Sequence, residues 1–366
     1  MKTVLRFIKK DPVLSIAALC AVVTAFFVPP DRSYIAYMDL RVLCLLLCLM
    51  AVVAGFGSCG AFSTLAYALL RRCRRGQVLG FVLVMLPFFT SMLVTNDVAL
   101  LTFVPFTMLL LGQMGCHKSV IPTLVLQTVA ANLGSMATPV GNPQNLYLYG
   151  YYTLSPVEFF SAMLPLTTAC FMGLGVASLF LLPKVLPTVE MEKESLHDTE
   201  KLLIYAALFV LCLTAVFRWM HYAVVTVIVV LVLFLLNRSL LKKVDYLLLV
   251  TFVCFFILSG NLGRMEAVHD FLQSLLQRNT LLTSLGASQV ISNVPAAVLL
   301  SEFTEDWRGL LQGVNIGGLG TPCASLASLI TLKLYTGGTE KASIGRFLAV
   351  FTAVNVVGIV LLLLIV

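Results

Sequence analysis

Asp97 is the only acidic residue between Asp39 and Glu158, and apolar sequence surrounds it. It stands in T-N-D-V-A-L-L (95–101), directly after Thr95 and Asn96. A carboxylate at depth in a membrane costs at least ~2.5 kcal/mol, so it needs a partner or a proton. Such a group can ligate a cation or carry a proton. The simpler role is a cap on the helix that starts at Val98.

Two further clusters share one pattern. Residues 132–139 read N-L-G-S-M-A-T-P, and residues 315–322 read N-I-G-G-L-G-T-P. Each sets an Asn, small residues and a Pro where an apolar helix would otherwise continue. Glycine permits backbone geometry that a Cβ forbids, and proline removes a donor. The carbonyls freed by a break, with Asn and Thr oxygens, are hard ligands suited to sodium. The half-helix that restarts after a break offers N–H groups and partial positive charge to an anion. The first candidate set is Thr95, Asn96, Asp97, Asn132, Gly134, Thr138, Pro139, Gly141 and Asn142. The second is Ser292, Asn293, Asn315, Gly317, Thr321, Pro322 and Ser325. A sodium ion is expected at Asn96 and Asn132, and another at Asn293 and Asn315. No other metal, no cofactor and no catalytic residue is expected. The plainer role for each small polar residue is close helix packing.

The elements that hold these residues follow from composition. The 366 residues are 60% hydrophobic and 11% charged. A soluble domain carries about 25% charged residues, so the fold class is an all-α polytopic membrane protein in the cell (inner) membrane. The net charge of +7 sits at the ends of apolar runs, which points to a bilayer and not to nucleic acid. The basic N-terminus leads into an apolar run from Val13 to Val28, read as a retained first helix. The ten cysteines contain no CxxC and read as small buried hydrophobes.

Expected spans are 12–28, 40–57, 120–150, 158–182, 202–218, 221–237, 244–262, 308–332 and 343–366, of which 120–150 and 308–332 are broken. The regions 77–112 and 271–304 carry central polar residues and read as re-entrant hairpins. With about nine spans, two hairpins and a cytoplasmic N-terminus, the basic residues sort by side. The inner side takes Lys2, Arg6, Lys9, Lys10, Arg71, Arg72, Arg74, Arg75, Lys118, Lys184, Lys193, Lys201, Arg238, Lys242, Lys243, Lys333, Lys341 and Arg346. The outer side keeps Arg32, Arg41, Arg218, Arg264, Arg278 and Arg308.

The order of features repeats. Asp39 and Asp245 each begin an apolar run, a more polar segment follows, then a hairpin with Asn at its tip, a broken helix and a closing helix. The division is 1–37, N-terminal helix and loop; 38–183, repeat 1; 184–220, cytoplasmic linker and connecting span; and 221–366, repeat 2. The odd span 202–218 inverts the second copy. Inverted repeats around a midplane site are a common plan among transporters.

Four stretches carry a family resemblance: T-N-D-V-A-L-L-T-F-V-P (95–105), A-N-L-G-S-M-A-T-P-V-G-N-P-Q-N-L (131–146), S-N-V-P-A-A-V-L-L (292–300) and N-I-G-G-L-G-T-P-C-A-S-L-A-S-L (315–329). Over residues 38 to 366 the chain resembles the ion transporter superfamily. That group includes citrate and dicarboxylate:sodium symporters, arsenite pumps and a class of sodium/proton antiporters. The resemblance implies two hairpins, two broken helices, a scaffold that forms a homodimer, and elevator-type movement. It implies a small-molecule or ion substrate, such as a citrate-like anion, driven by a sodium or proton gradient. The dicarboxylate symporters read Ser-Asn-Thr at both tips, whereas here the tips read Thr95-Asn96-Asp97 and Ser292-Asn293-Val294. The Asn-Asp tip and T-P-x-x-S-L-A-S-L look closer to the arsenite and sodium/proton branch.

Other residues carry quieter expectations. Lys333 ends the second broken helix and snorkels to the inner interface. Cys323 reads as a buried small residue. Phe159, Phe160 and Tyr147 to Tyr152 read as an interfacial belt. No GxxxxGK[ST], HExxH or G-x-S-x-G is present, which argues against an ATPase and against an intramembrane enzyme.

Overall fold

The computed structural model describes residues 12–70, 73, 75–183, 198–338 and 343–366. The basic N-terminal cluster, Arg71, Arg72, Arg74, most of the linker (184–197) and Lys341 lie outside the described residues.

Among the described residues, eighteen α-helices follow one another. They are α1 (Pro12–Phe27), α2 (Ser33–Ala36), α3 (Leu40–Ser58), α4 (Ala61–Leu70), α5 (Gly76–Thr90), α6 (Asn96–Gln113), α7 (His117–Ser135), α8 (Pro143–Tyr151) and α9 (Pro156–Ser178). Then come α10 (Thr199–Val216), α11 (Tyr222–Asn237), α12 (Tyr246–Gly263), α13 (Glu266–Arg278), α14 (Thr280–Ile291), α15 (Asn293–Ser301), α16 (Trp307–Ile316), α17 (Leu326–Gly338) and α18 (Ile344–Leu363). Among the described residues, α3, α6, α9, α10, α12 and α18 are long and apolar enough to cross a membrane. The 16-residue helices α1 and α11 are apolar but about 24 Å long, short of a ~30 Å hydrocarbon core. The second arm of the first hairpin, α6, ends within one residue of the expected bound at 112.

The repeat is visible in the helix starts. Asp39 accepts a hydrogen bond from the Val42 N–H at 3.0 Å, and Asp245 accepts one from the Leu248 N–H at 3.0 Å. Each aspartate is thus the N-cap of the first helix of its repeat, α3 and α12. The hairpins are α5–α6 and α14–α15, and the broken helices are α7–α8 and α16–α17. The second hairpin begins at Thr280, not at 271, because α13 runs to Arg278 and Asn279 ends it while capping α14.

Helices α1, α10 and α11 brace α3 and α12, while hairpins and broken helices pack on one another. The α7 helix is enclosed from Thr123 to Ser135 by α5, α6, α9 and α18. Several of the enclosed side chains are polar and bond to neighbouring helices, Gln127 Nε2 to the Leu83 carbonyl and the Thr128 hydroxyl to Thr331, each at 2.8 Å. Arg41 donates to the Ala215 and Val216 carbonyls at the end of α10. Arg218 donates to the Thr153, Tyr149 and Gly150 carbonyls at the end of α8. Both guanidinium groups therefore stabilise helix C-termini. Arg264 bonds Asp31 at 2.9 Å, joining the end of α12 to the loop after α1.

Candidate functional site

The first hairpin turns over residues 91–95 and delivers Asn96 to the first broken helix. Asn96 Nδ2 donates to Asn132 Oδ1 at 2.8 Å, both side chains being buried. Asn96 Oδ1 accepts from the Asp97 N–H at 3.1 Å. Thr138, inside the break, donates its hydroxyl to the Met92 carbonyl of the turn. Gly134 lets the two backbones touch, since a Cβ there would strike the Phe88 carbonyl. Gly141 lies equally close to the Ser135 carbonyl, and Pro139 is buried in the break. Asn142 then caps α8, accepting from the Asn145 N–H at 2.9 Å, with Pro143 in the first turn.

The second hairpin turns on one residue. Ser292 holds φ 75° and ψ 154°, a region that favours glycine, and donates to the Ala324 carbonyl at 3.3 Å. Asn293 Oδ1 accepts from the Val294 N–H at 2.9 Å. A Cβ on Gly317 would come within 2.7 Å of Ser288. Thr321, followed by Pro322 at the start of a short 3-10 turn, donates its N–H to Gln289 Oε1 at 2.9 Å.

The two half-sites interlock. Ser325 donates to Asn132 Oδ1 at 3.1 Å, and Asn132 Nδ2 donates to the Gly318 carbonyl at 3.4 Å. Asn142 Nδ2 donates to Asn315 Oδ1 at 3.1 Å, and Asn315 Nδ2 donates to Asn145 Oδ1 at 2.7 Å. One expected pairing, Asn315 with Asn293, is absent. The Asn315 amide also bonds the Leu311 carbonyl one turn back, which turns it toward α8. Asn293 stands instead over Gly318, where an added Cβ would meet its Nδ2 at 2.9 Å.

Asp97 does not cap. The helix begins at Asn96, so Asp97 lies inside the first turn, where the helix dipole favours its charge. Its Oδ1 is buried without a hydrogen-bond partner. Asp97 lines a crevice of about 560 Å³ between the hairpin tip, α3, the start of α12 and α17. Thr95, Lys243, Asp245 and Lys333 share it. Among the described residues, no three His, Cys, Asp or Glu side chains gather to hold a metal ion. The oxygens near the breaks are amides, hydroxyls and carbonyls.

Two residues outside the candidate sets fasten the breaks. Asn145 Nδ2 donates to the Met136 and Thr138 carbonyls at 3.3 and 3.0 Å. Gln289 Nε2 donates to the Gly317 and Leu319 carbonyls at 2.8 and 2.9 Å. Asn145 was visible in G-N-P-Q-N; Gln289 was visible only as a lone amide in an apolar arm. Three lesser expectations fare differently. Lys333 is exposed, Cys323 is exposed rather than buried, and much of the aromatic belt is interior. Tyr147, Tyr149 and Phe159 are buried because Tyr147 bonds Ser301 at 2.8 Å and the rings pack among helices.

A family model described as citrate transporter matches residues 4–304. An uncharacterized transporter of Methanocaldococcus jannaschii is 32% identical, over 81% of this chain and 82% of that protein. Inner membrane protein YbiR of Escherichia coli is 32% identical, over 90% of this chain and 89% of its own length. A silicon efflux transporter of Oryza sativa subsp. japonica is 32% identical over 45% of this chain and 33% of that protein. With one family model covering most of its length and two relatives matched nearly end to end, the chain belongs to the CitMHS citrate transporter family.

Proposed function

We propose that this membrane transporter is a secondary active permease for a small anion, such as a citrate-like or dicarboxylate substrate, coupled to a sodium or proton gradient. The observation that carries this reading is the interlock of two broken helices around Asn132 and Asn315. Two half-helices, α8 and α17, restart beside it, and the partial positive charge of such helix starts suits an anion. Asn96, Asn132, Asn293 and Asn315 supply hard oxygens for sodium, and Asp97 carries the coupling charge. The chain works as a homodimer in the inner membrane, with its N-terminus cytoplasmic and its site moving as an elevator.

A second reading is efflux of a neutral hydroxylated species, arsenite or antimonite, or sodium/proton antiport. It is favoured by the uncharged amide and hydroxyl lining at the breaks, where Asp97 is the one ionisable side chain of the candidate sets. The relative named for silicon efflux points the same way. Proteoliposome uptake separates these readings, with sodium and proton gradients imposed singly across citrate, succinate, sulfate, arsenite and silicic acid. Concentrative uptake of a carboxylate supports the first. Movement of arsenite or silicic acid alone supports the second, and no gradient-driven movement of anything defeats both.

A further inference from the structure

The crevice beside Asp97 has a counterpart at the other end of the repeat. A second crevice of about 530 Å³ is lined by Asp39, Phe256, Ser259, Gly150 and Val298. Each of these has its repeat mate in the first crevice: Asp245, Met50, Val53, Lys333 and Leu101. The two linings therefore correspond in position but not in charge. The aspartate that starts the first helix is present in both. Asp97 is replaced by Val294, and Lys333 by Gly150. Asp97 and Lys333 thus occur together in one crevice, while the other carries its own charges, Arg41 and Glu302, at different positions.

Their placement suits a pair that makes and breaks contact. Asp97 opens α6 and Lys333 lies seven residues along α17, and these helices pack side by side, both leading away from the site. Seven residues span about 10 Å, and side chains lean toward the helix N-terminus, here toward Asp97. A lysine arm and an aspartate together bridge most of that gap. Among the described residues neither has an ion-pair partner within 4.0 Å, and Asp97 Oδ1 is buried and unpaired. Across the crevice stands Asp245. A Cβ on Gly150, the mate of Lys333, would lie 4.0 Å from Asp39 Oδ2, the mate of Asp245. Lys333 and Asp245 themselves line the same crevice. The other charged or titratable groups beside these two are Lys243 at the start of α12, His117 on α7 and Arg346 on α18.

We propose that Lys333 is a tethered counter-cation for Asp97, exchanging between Asp97 when no coupling cation is bound and Asp245 when one is. The proposal rests on Asp97 as the coupling residue. Lys333 neutralises the empty carboxylate, so the site crosses the membrane without a bare charge. A sodium ion or proton arriving at Asp97 displaces the ammonium, which then faces the carboxylate across the crevice. Lys333 is a positioning residue for coupling and touches no substrate.

The test is cation-dependent thermal protection of the purified full-length protein. One arm titrates NaCl against choline chloride at fixed pH, and the other varies pH without sodium. A tether that occupies Asp97 about nine-tenths of the time weakens apparent cation affinity about tenfold. Lys333→Met should therefore lower the half-protecting sodium or proton concentration about tenfold. Lys333→Gln should do the same, and Lys333→Arg should stay near wild type. Asp97→Asn should abolish the response. If Asp97→Asn abolishes it while Lys333→Met and Lys333→Gln match wild type, the tether is wrong and Asp97 keeps its role. If wild type responds to neither cation, or Asp97→Asn responds as wild type does, both fall.

Discussion

Asn315→Ala tests the interlock most directly. The substitution removes the bond from Asn142 and the 2.7 Å bond to Asn145 Oδ1, and it frees the Leu311 carbonyl of a second donor. Asn142 keeps Ser135 Oγ at 3.1 Å, and Leu311 is a helical carbonyl, so neither is stranded. Asn145 Oδ1 loses the side-chain donor found for it, in a buried place. A stranded buried acceptor costs about 1–3 kcal/mol. Two interhelical side-chain bonds in a membrane protein add about 0.6 kcal/mol each on average, and up to ~1.7. The expected loss is therefore about 2–5 kcal/mol. Reversible unfolding in mixed micelles measures it. The Asn145→Ala/Asn315→Ala double variant should lose about 1 kcal/mol less than the sum of the single losses. A single loss below about 0.5 kcal/mol, the range of an uninvolved surface site, would refute the reasoning.

Asp97→Asn should fold normally and lose dependence on the driving gradient, read as substrate-loaded proteoliposome flux with and without sodium or a pH step; undiminished coupling would remove Asp97 from the mechanism. Gly134→Ala should destabilise by about 1–3 kcal/mol, since its methyl meets the Phe88 carbonyl and only a shift of the hairpin makes room; an unchanged melting curve would count against the close approach. Ser292→Gly should be more stable than Ser292→Ala by up to about 2 kcal/mol. Both lose the bond to Ala324, but only glycine relieves the backbone at φ 75°. Equal melting of the two variants would argue against strain at that turn.

Much of the architecture was legible because membrane sequence is constrained. Apolar length, the aspartate that starts each repeat and the Asn-Gly-Pro breaks each leave a mark that survives without tertiary context. The tip-to-break contact of Asn96 with Asn132 followed from repeat order together with the family resemblance. What symmetry suggested for Asn293 and Asn315 did not follow, because a carboxamide's direction depends on the turn it back-bonds, and Asn315 back-bonds Leu311. Gln289 was hidden for a related reason: one amide in an apolar arm looks like packing until the carbonyls of a break stand opposite it. The aromatic cluster at 147–152 carried an interfacial composition, but hydroxyl bonds from Tyr147 and Tyr152 to α15 and the loop after it draw it inside. The start of the second hairpin was misplaced because α13 is amphipathic and continues the apolar pattern on one face.

The hydrogen bond from Asn142 to Asn315 joins residues 173 positions apart. A ribosome adding about 5–20 residues per second needs roughly 10–35 s to cover that interval. Through that time the first break is in the bilayer without the partner that completes it, and its amides must rely on Ser135 and water. The nascent first half is thus a waiting intermediate, open to insertion quality control, and expression of repeat 1 alone should yield a short-lived chain that co-expression of repeat 2 rescues.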